Sequence, residues 1–414
     1  MRLGGSDARA IDLKETPEVV AARLCGYPDF VFLDSSGYVE HQTGRVLSVI
    51  GCCPESVITC DVGDYNALQE VVALKNERGA LIGWFDYQGD ARFGWFRDLL
   101  VFDHGESQWY EVGETSAWWR GEIPLMKQFD LQAEETASMS GEDFVDAVCQ
   151  AKSYIEQGVI YQVNLAIRYE RPVSEGTSYG LYERLRLASP SPMGGFMRLG
   201  GTELLSSSPE LFLKIEGEQV STKPIKGTRP RGENPVQDAG YVEELLASEK
   251  EKAELLMITD LLRNDLGKVS KAGSVRVREL FQVESFEHIH HLVSDVEGAL
   301  KVDAVEAVTS CLPGGSITGA PKYTARQVIE ELESEPRGLY TGSLGYFSLD
   351  GTAQFNLLIR SVVVEDQTLS YAVGAGIVAD SIPEAEYEET QQKARGVRLA
   401  LEAYAKAGKI ESVR

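Results

Sequence analysis

In the stretch Gln162-Val163-Asn164-Leu165-Ala166-Ile167-Arg168-Tyr169, apolar and mostly polar residues alternate with a period of two. That is the period of a half-buried strand, with Val163, Leu165, Ile167 and Tyr169 facing a core and Gln162 and Asn164 presented on the opposite face. Just upstream, Ser140 is a good helix N-cap, and Glu142 and Asp143 place negative charge in the first turn, where the helix dipole favours it. Phe144, Val148, Ala151 and Ile155 follow at helical spacing, and Gly158 is a natural stop.

Working outward, residues 201–220 read as a hairpin or two strands, and residues 241–266 as one long helix ended by Gly267. Residues 331–360 and 368–378 are strand-rich, with an apolar strand at 355–359 that leads into Arg360. Ser381-Ile382-Pro383-Glu384 starts a last helix running to about residue 407, with proline in its first turn. In the N-terminal third, Phe30-Val31-Phe32-Leu33 and Ala80-Leu81-Ile82-Gly83-Trp84-Phe85 are short apolar runs typical of buried strands, and residues 66–74 suit a short helix. Residues 121–140, with Pro124 and small polar residues, suit a connector. Strands joined by short turns, with helices in blocks, predict an α+β fold with antiparallel sheets. The expected division is a β-rich region at 1–130 and a second region at 140–407, intertwined in one unit.

The chain has 414 residues, of which 43% are hydrophobic and 25% charged, as expected of a globular protein. No apolar run is long enough to span a bilayer, and residues 1–20 lack a signal-peptide pattern. Cys25, Cys52, Cys53, Cys60, Cys149 and Cys311 show no zinc-ligand or redox spacing, which predicts reduced thiols and a cytoplasmic setting. The net charge of −24 argues against nucleic acid as a partner. It would also repel an anionic substrate, so a site for one must carry its own cations.

Several patterns could carry chemistry. In Lys223-Pro224-Ile225-Lys226-Gly227-Thr228-Arg229-Pro230-Arg231, Lys226 lies between a proline and a glycine, held as a nucleophile or a fixed charge; a solvated basic loop would look the same. Glu251 with Glu254, and Glu386 with Glu389, sit three apart on predicted helices and so share faces. Such oxygen-only sets suit Mg²⁺, although a chain with 64 acidic residues has many solvated pairs of this kind. Pro313-Gly314-Gly315-Ser316-Ile317-Thr318-Gly319-Ala320-Pro321-Lys322 could bring bare N–H groups to a carboxylate, or form a tight turn into a helix. Gly374-Ala375-Gly376 is a second place for close backbone approach, and Arg360 could point to water or clasp a carboxylate. Among His288, His290 and His291, no cysteine partner at zinc-like spacing supports a zinc site.

The run Pro224-Ile225-Lys226-Gly227-Thr228-Arg229-Pro230-Arg231 resembles a signature of the chorismate-utilising enzyme family. Other marks follow the family's pattern: Ile160-Tyr161-Gln162-Val163-Asn164-Leu165, Ser208-Pro209-Glu210-Leu211-Phe212 and Leu261-Leu262-Arg263-Asn264-Asp265-Leu266-Gly267. His291-Leu292-Val293-Ser294, the glycine-rich decapeptide, Tyr340-Thr341-Gly342, Gly374-Ala375-Gly376-Ile377-Val378 and Glu386-Tyr387-Glu388-Glu389-Thr390 complete the set. The likeness is dense over about residues 140–405 and thin over 1–130. It implies two packed, largely antiparallel sheets flanked by helices.

The resemblance also implies roles. Glu254 and Glu389 become direct Mg²⁺ ligands, with Glu251 and Glu386 acting more through water. Tyr340, Arg360, Gly319, Gly374, Ala375, Gly376 and Lys393 would hold the carboxylates of chorismate. Glu210 would be a general acid or base at the C4 hydroxyl, with Thr228 and His291 in the site. Other branches of the family carry alanine at the position of Lys226, and the water-adding branches carry a lysine base at that of Gln162. An amine at Lys226 can attack C2 itself; ammonia then attacks C4 and expels the lysine, giving 4-amino-4-deoxychorismate. The amine must be uncharged when it attacks, with Arg229 a candidate neighbour. Ammonia would come from a separate glutamine amidotransferase subunit. The alternatives are the anthranilate-forming branch and an inactive chorismate-binding protein. Leu33-Asp34-Ser35-Ser36 lies where relatives carry a Leu-Glu-Ser tryptophan-binding pattern, and the aspartate weakens that reading.

Overall fold

In a computed structural model that describes residues 8–35, 46–74, 77–119, 127–285 and 289–411, two large sheets organise the chain. Ser36, His288 and residues 121–126, with Pro124, lie outside the described residues. Among the described residues, one sheet has twelve strands and the other ten, and every named ladder is antiparallel.

In the larger sheet, the order at its centre is Val31–Asp34, Met193–Leu199, Thr202–Ser208, Ser361–Glu365, Thr368–Ile377 and Gln162–Pro172, with the short Gly319–Ala320 strand at the edge. Ile225–Pro230, Ile289–Ala299, Gln219–Lys223, Leu211–Glu216, Thr352–Asn356, Ser343–Ser348, Ala80–Phe85, Ala91–Phe96 and Ser56–Cys60 run in that order through the smaller one. N-terminal strands thus pair with strands hundreds of residues away in both sheets.

The strand forms with the expected inward set, but it is not half-buried: Gln162, Asn164 and Ala166 on its other face are buried too. Strand Gln162–Pro172 packs on helices Gly141–Glu156 and Lys322–Leu332, and its Tyr169 meets Gln391 and Arg398 of Pro383–Glu411; Val163, Leu165, Ile167 and Tyr169 join the core there. The first of these helices starts at a full capping box, with Ser140 and Asp143 each accepting from the other's backbone N–H. On the smaller sheet, helices Glu249–Val269 and Ala304–Cys311 place Leu266, Val269 and Val308 over Phe212 and Val296. Phe85, Phe93, Phe347 and Phe355 form an aromatic knot that joins N- and C-terminal strands, with Phe347 and Phe355 centroids 4.7 Å apart.

Two expectations are corrected. Residues 241–266 are not one helix: Pro235–Ala247 ends at Ser248, which leaves the helical conformation and caps Glu249–Val269 by accepting from Glu251 N–H. A serine within an apolar-periodic run thus acted as a boundary, through the side-chain competition that favours caps. Gly267 lies inside that second helix, where the space for a Cβ is open. Nor is 355–359 a strand ending at Arg360. Thr352–Asn356 belongs to the smaller sheet and Ser361–Glu365 to the larger, so residues 357–360 carry the chain from one sheet to the other. Arg360 makes the corner with φ 50°, uncommon for a non-glycine residue.

All six cysteines are free thiols. No helix among the described residues is long and apolar enough to cross a membrane. The knot yields a test of how the N-terminal strands are anchored: Phe93→Ala should cost about 3–5 kcal/mol, read as a lower urea midpoint, because Phe93 is fully buried against three other rings.

Candidate functional site

The floor of the site is a glycine window. Strand Gln162–Pro172 pairs with Thr368–Ile377 so that Asn164 lies opposite Gly376 and Ala166 opposite Gly374. A Cβ at Gly374 would sit 2.5 Å from Asn164 Oδ1 and 3.0 Å from the Tyr340 hydroxyl. One at Gly376 would sit 3.2 Å from Gln162 Nε2 and 3.8 Å from Lys226 Nζ. Four side chains therefore converge over two positions kept bare, the close approach for which glycine serves in a strand. Ala375, between them, faces the helix-side core. Gly319, at φ 138°, presses on the Gln162 carbonyl, where a Cβ would come to 2.3 Å.

Lys226 comes from the other sheet, on strand Ile225–Pro230, and is half-buried. Gly227 follows at φ 78°, where a Cβ would stand 2.9 Å from the Glu251 carboxyl carbon. That bare position lets the helix carrying Glu251 close over the strand. Arg229 pairs with Glu244 and Glu251 at 2.9 Å each.

Glu210 is buried and accepts from the Ser316 hydroxyl at 2.7 Å. Burial pushes its carboxyl up; the Ser316 hydrogen bond and the charges of Lys226, Lys393 and Arg360 oppose this. Buried among cations and hydrogen-bonded to a hydroxyl, Glu210 is placed to exchange a proton with a group bound in the site. His291 is also buried, with Nδ1 2.9 Å from the hydroxyl of the exposed Thr228. Burial first, and then the Arg360 charge, lowers the His291 imidazole to about 4, so it is neutral in the folded protein at pH 7. Tyr340 is held as a neutral phenol by burial. Lys393 Nζ donates to the Gly374 carbonyl at 2.8 Å and pairs with Glu389 at 2.7 Å. Lys322, the last residue of the glycine-rich stretch, pairs with buried Asp265 at 2.5 Å and donates to the Cys311 carbonyl.

The four glutamates differ in how far cations compensate them. Glu251 Oε1 meets Arg229, while its Oε2 is buried without a hydrogen-bond partner. Glu254 lies 4.0 Å from Lys250. Burial, and then the nearby Glu389 charge, raises the Glu386 carboxyl despite a Ser381 hydrogen bond. At Glu389, burial is outweighed by Lys393 and Lys226, and its carboxyl lies below the ordinary value. Among the described residues no group of three or more His, Cys, Asp or Glu forms a ready ligand cage. The donor set nonetheless suits a hard divalent cation: all donors are carboxylates, and the orphaned Glu251 oxygen and the raised Glu386 carboxyl both mark uncompensated acid.

Sequence reasoning passed over the group that ties these parts together. Arg337 is fully buried and makes a two-pronged pair with Glu333, at 2.7 and 3.0 Å. It also donates to the Asn164 carbonyl at 2.7 Å and to the Ile317 carbonyl at 2.9 Å, while Glu333 accepts from Ala166 N–H. Its guanidinium lies 5.8 Å from the Tyr340 ring. Ser316 and Asn164 were likewise missing from the expected site residues. Only an inward-facing register could have singled out Asn164, and nothing in the sequence singled out Arg337. At the proposed tryptophan pattern, Asp34 accepts from Tyr182 and pairs with Arg186 at 2.7 Å, beside a cavity of only about 60 Å³.

A family model described as chorismate binding enzyme matches residues 65–398. The chain is 38% identical to aminodeoxychorismate synthase component 1 of Bacillus subtilis, over 78% of this chain and 73% of that one. It is 46% identical to anthranilate synthase component 1 of Thermus thermophilus, over 73% and 69% respectively. A crystal structure of anthranilate synthase component I from Streptococcus pneumoniae superposes with a TM-score of 0.74 at 28% identity, covering 87% of this chain and 93% of that one. The Escherichia coli isochorismate synthase MenF shares the fold, with a TM-score of 0.76 at 18% identity over 97% and 96%.

Two outcomes are expected. Arg337→Gln strands the buried Glu333 charge and should cost about 3–5 kcal/mol, with Arg337→Met/Glu333→Met recovering part of it in urea unfolding. The unfolded His291 takes up a proton near its ordinary 6.5 and the folded one only near 4, so its contribution to stability is full above 6.5 and is lost as pH falls toward 4. His291→Asn should flatten that part of the stability-versus-pH curve.

Proposed function

The chain belongs to the chorismate binding enzyme family, and we propose that within it this protein is an aminodeoxychorismate synthase large subunit. On this reading it converts chorismate and ammonia to 4-amino-4-deoxychorismate, for 4-aminobenzoate and folate. The observation that carries it is the Lys226 amine at the glycine window, 3.8 Å from the Gly376 Cβ position and close enough to act on Glu210 and Glu389.

The residues divide the work as follows. Arg360, Lys393, Tyr340, Thr228, His291 and the bare backbone at Gly319, Gly374, Ala375 and Gly376 bind and orient the two carboxylates, which keeps the needed positive charge local in a chain of net charge −24. Lys226 first gives its extra proton to Glu210; the amine then attacks C2, the ring double bonds shift, and the C4 hydroxyl leaves as water with the proton from Glu210. The Lys226 nitrogen then returns a proton to Glu210. Ammonia forms the C4–N bond in the reverse sense, Glu210 protonates Lys226 as its bond to C2 breaks, and the incoming nitrogen restores the proton to Glu210. Gln162 offers no base for activating water at C2, in keeping with amine rather than water addition. Glu251, Glu254, Glu386 and Glu389 would hold Mg²⁺, which when bound supplies positive charge for the ring carboxylate. A separate glutamine amidotransferase subunit would supply the ammonia, and the setting would be the cytoplasm.

A second reading, an anthranilate synthase large subunit, is favoured by the 46% identity to the Thermus protein. It predicts fluorescent anthranilate from chorismate and ammonium with this chain alone.

The test is intact mass after incubation with chorismate and Mg²⁺ but no ammonia. A covalent adduct on Lys226, absent from Lys226→Ala, is expected, together with a loss of at least about 10³-fold in turnover for that variant. Anthranilate without an adduct would refute the first reading and support the second. Removing divalent metal with a chelator should abolish turnover, and Glu254→Gln should raise the Mg²⁺ concentration needed for half-maximal rate at least tenfold.

A further inference from the structure

Asn164 is 93% buried, and its Oδ1 has no hydrogen-bond partner. The same is true of Gln162 Oε1 two residues earlier on the same strand face, where the side chain is 99% buried. Alternate residues on one strand face stand about 7 Å apart, and both side chains reach the glycine window, Asn164 with its Oδ1 at Gly374 and Gln162 with its Nε2 at Gly376. An unpaired buried carbonyl oxygen is costly and persists where something else completes it.

The charge of the neighbourhood narrows what that can be. Lys226, Lys393 and Arg360 are donors and suit the carboxylates of the substrate. A carbonyl oxygen repels a carboxylate, so the two amide oxygens must meet N–H or O–H groups. Under the proposed reaction three such donors enter the site: the C4 hydroxyl, the Lys226 amine and ammonia. The hydroxyl faces Glu210 as it leaves. Lys226 Nζ stands beside Gly376 and Gln162, which leaves the oxygen at Gly374 for the third.

We propose that Asn164, with Gln162 beside it, forms the seat for ammonia. Neutral ammonia donates N–H groups to the acceptor and keeps its lone pair directed at the ring. The backbone at Asn164 is fixed by Arg337, which donates to its carbonyl, and by the Glu333 acceptor for Ala166 N–H, so the acceptor has a defined position. This inference rests on the aminodeoxychorismate reading above.

The experiment is steady-state titration of ammonium at saturating chorismate and Mg²⁺ with Asn164→Leu, which keeps the volume and removes the acceptor, and with Asn164→Asp, which keeps an oxygen. The expected result is a rise of at least tenfold in the KM for ammonium in Asn164→Leu. Its KM for chorismate should stay within about twofold, and its ammonia-free Lys226 adduct should form at the wild-type rate. Asn164→Asp should restore at least half of the lost ammonium affinity. An unchanged ammonium KM, or an equal rise in both KM values, overturns the proposal even if the adduct forms. Absence of the adduct from the wild-type protein overturns the reaction scheme instead, so the two failures are distinguishable.

Discussion

A single buried guanidinium holds the candidate site in register. Arg337 reaches the strand that carries Gln162 and Asn164, the turn that carries Ser316, and the end of the helix that carries Glu333. Each of these segments alone is a loop end or a sheet edge, where backbone would otherwise find water. The ion pair to Glu333 is tolerable in a dry setting only because nearly every proton on the fork has an acceptor. The arrangement is thus brittle by construction: removing one partner leaves a buried charge, while removing both leaves mainly a packing problem.

Electrostatics around that scaffold follow one pattern. The chain as a whole is strongly acidic, yet the cleft gathers Lys226, Lys393 and Arg360 around one buried acid, Glu210. Burial raises that acid and the cations oppose the shift, so its proton affinity is set by two large opposing effects. His291 contributes no charge, because burial and Arg360 keep its imidazole neutral. The acids at the helix ends remain unevenly compensated, with Glu251 leaving one oxygen unmatched.

Much of this was legible beforehand, and the reasons are local. The alternation from Gln162 to Tyr169 specified a strand and its buried face, because period two admits one inward set. Ser140 with Asp143 specified a helix start, because capping is settled within four residues. The reading of residues 241–266 went wrong for the same kind of reason: Ser248 is a polar residue in a periodic run, and only tertiary packing decided that it caps rather than continues. Arg360 looked like the end of a strand because apolar residues precede it, but Leu357, Leu358 and Ile359 are apolar since they pass between two sheets. The long-range ties were not legible at all. Nothing near Arg337 in the sequence names Asn164 or Ile317 as its acceptors, and an orphaned amide oxygen exists only once two strands are in register.

The interleaving of early and late strands has a consequence for how the molecule is made. Strand Val31–Asp34 lies beside Met193–Leu199, and Ala80–Phe85 beside Ser343–Ser348. On the ribosome, the first hundred residues can pair with one another in part, but the edges that later take Met193–Leu199 and Ser343–Ser348 emerge before those strands are synthesised. They must be kept from sticking to one another until residues past 340 have left the exit tunnel. A nascent chain of this design depends on shielding during translation, and it offers no point at which the early portion could be cut away to leave a self-sufficient remainder.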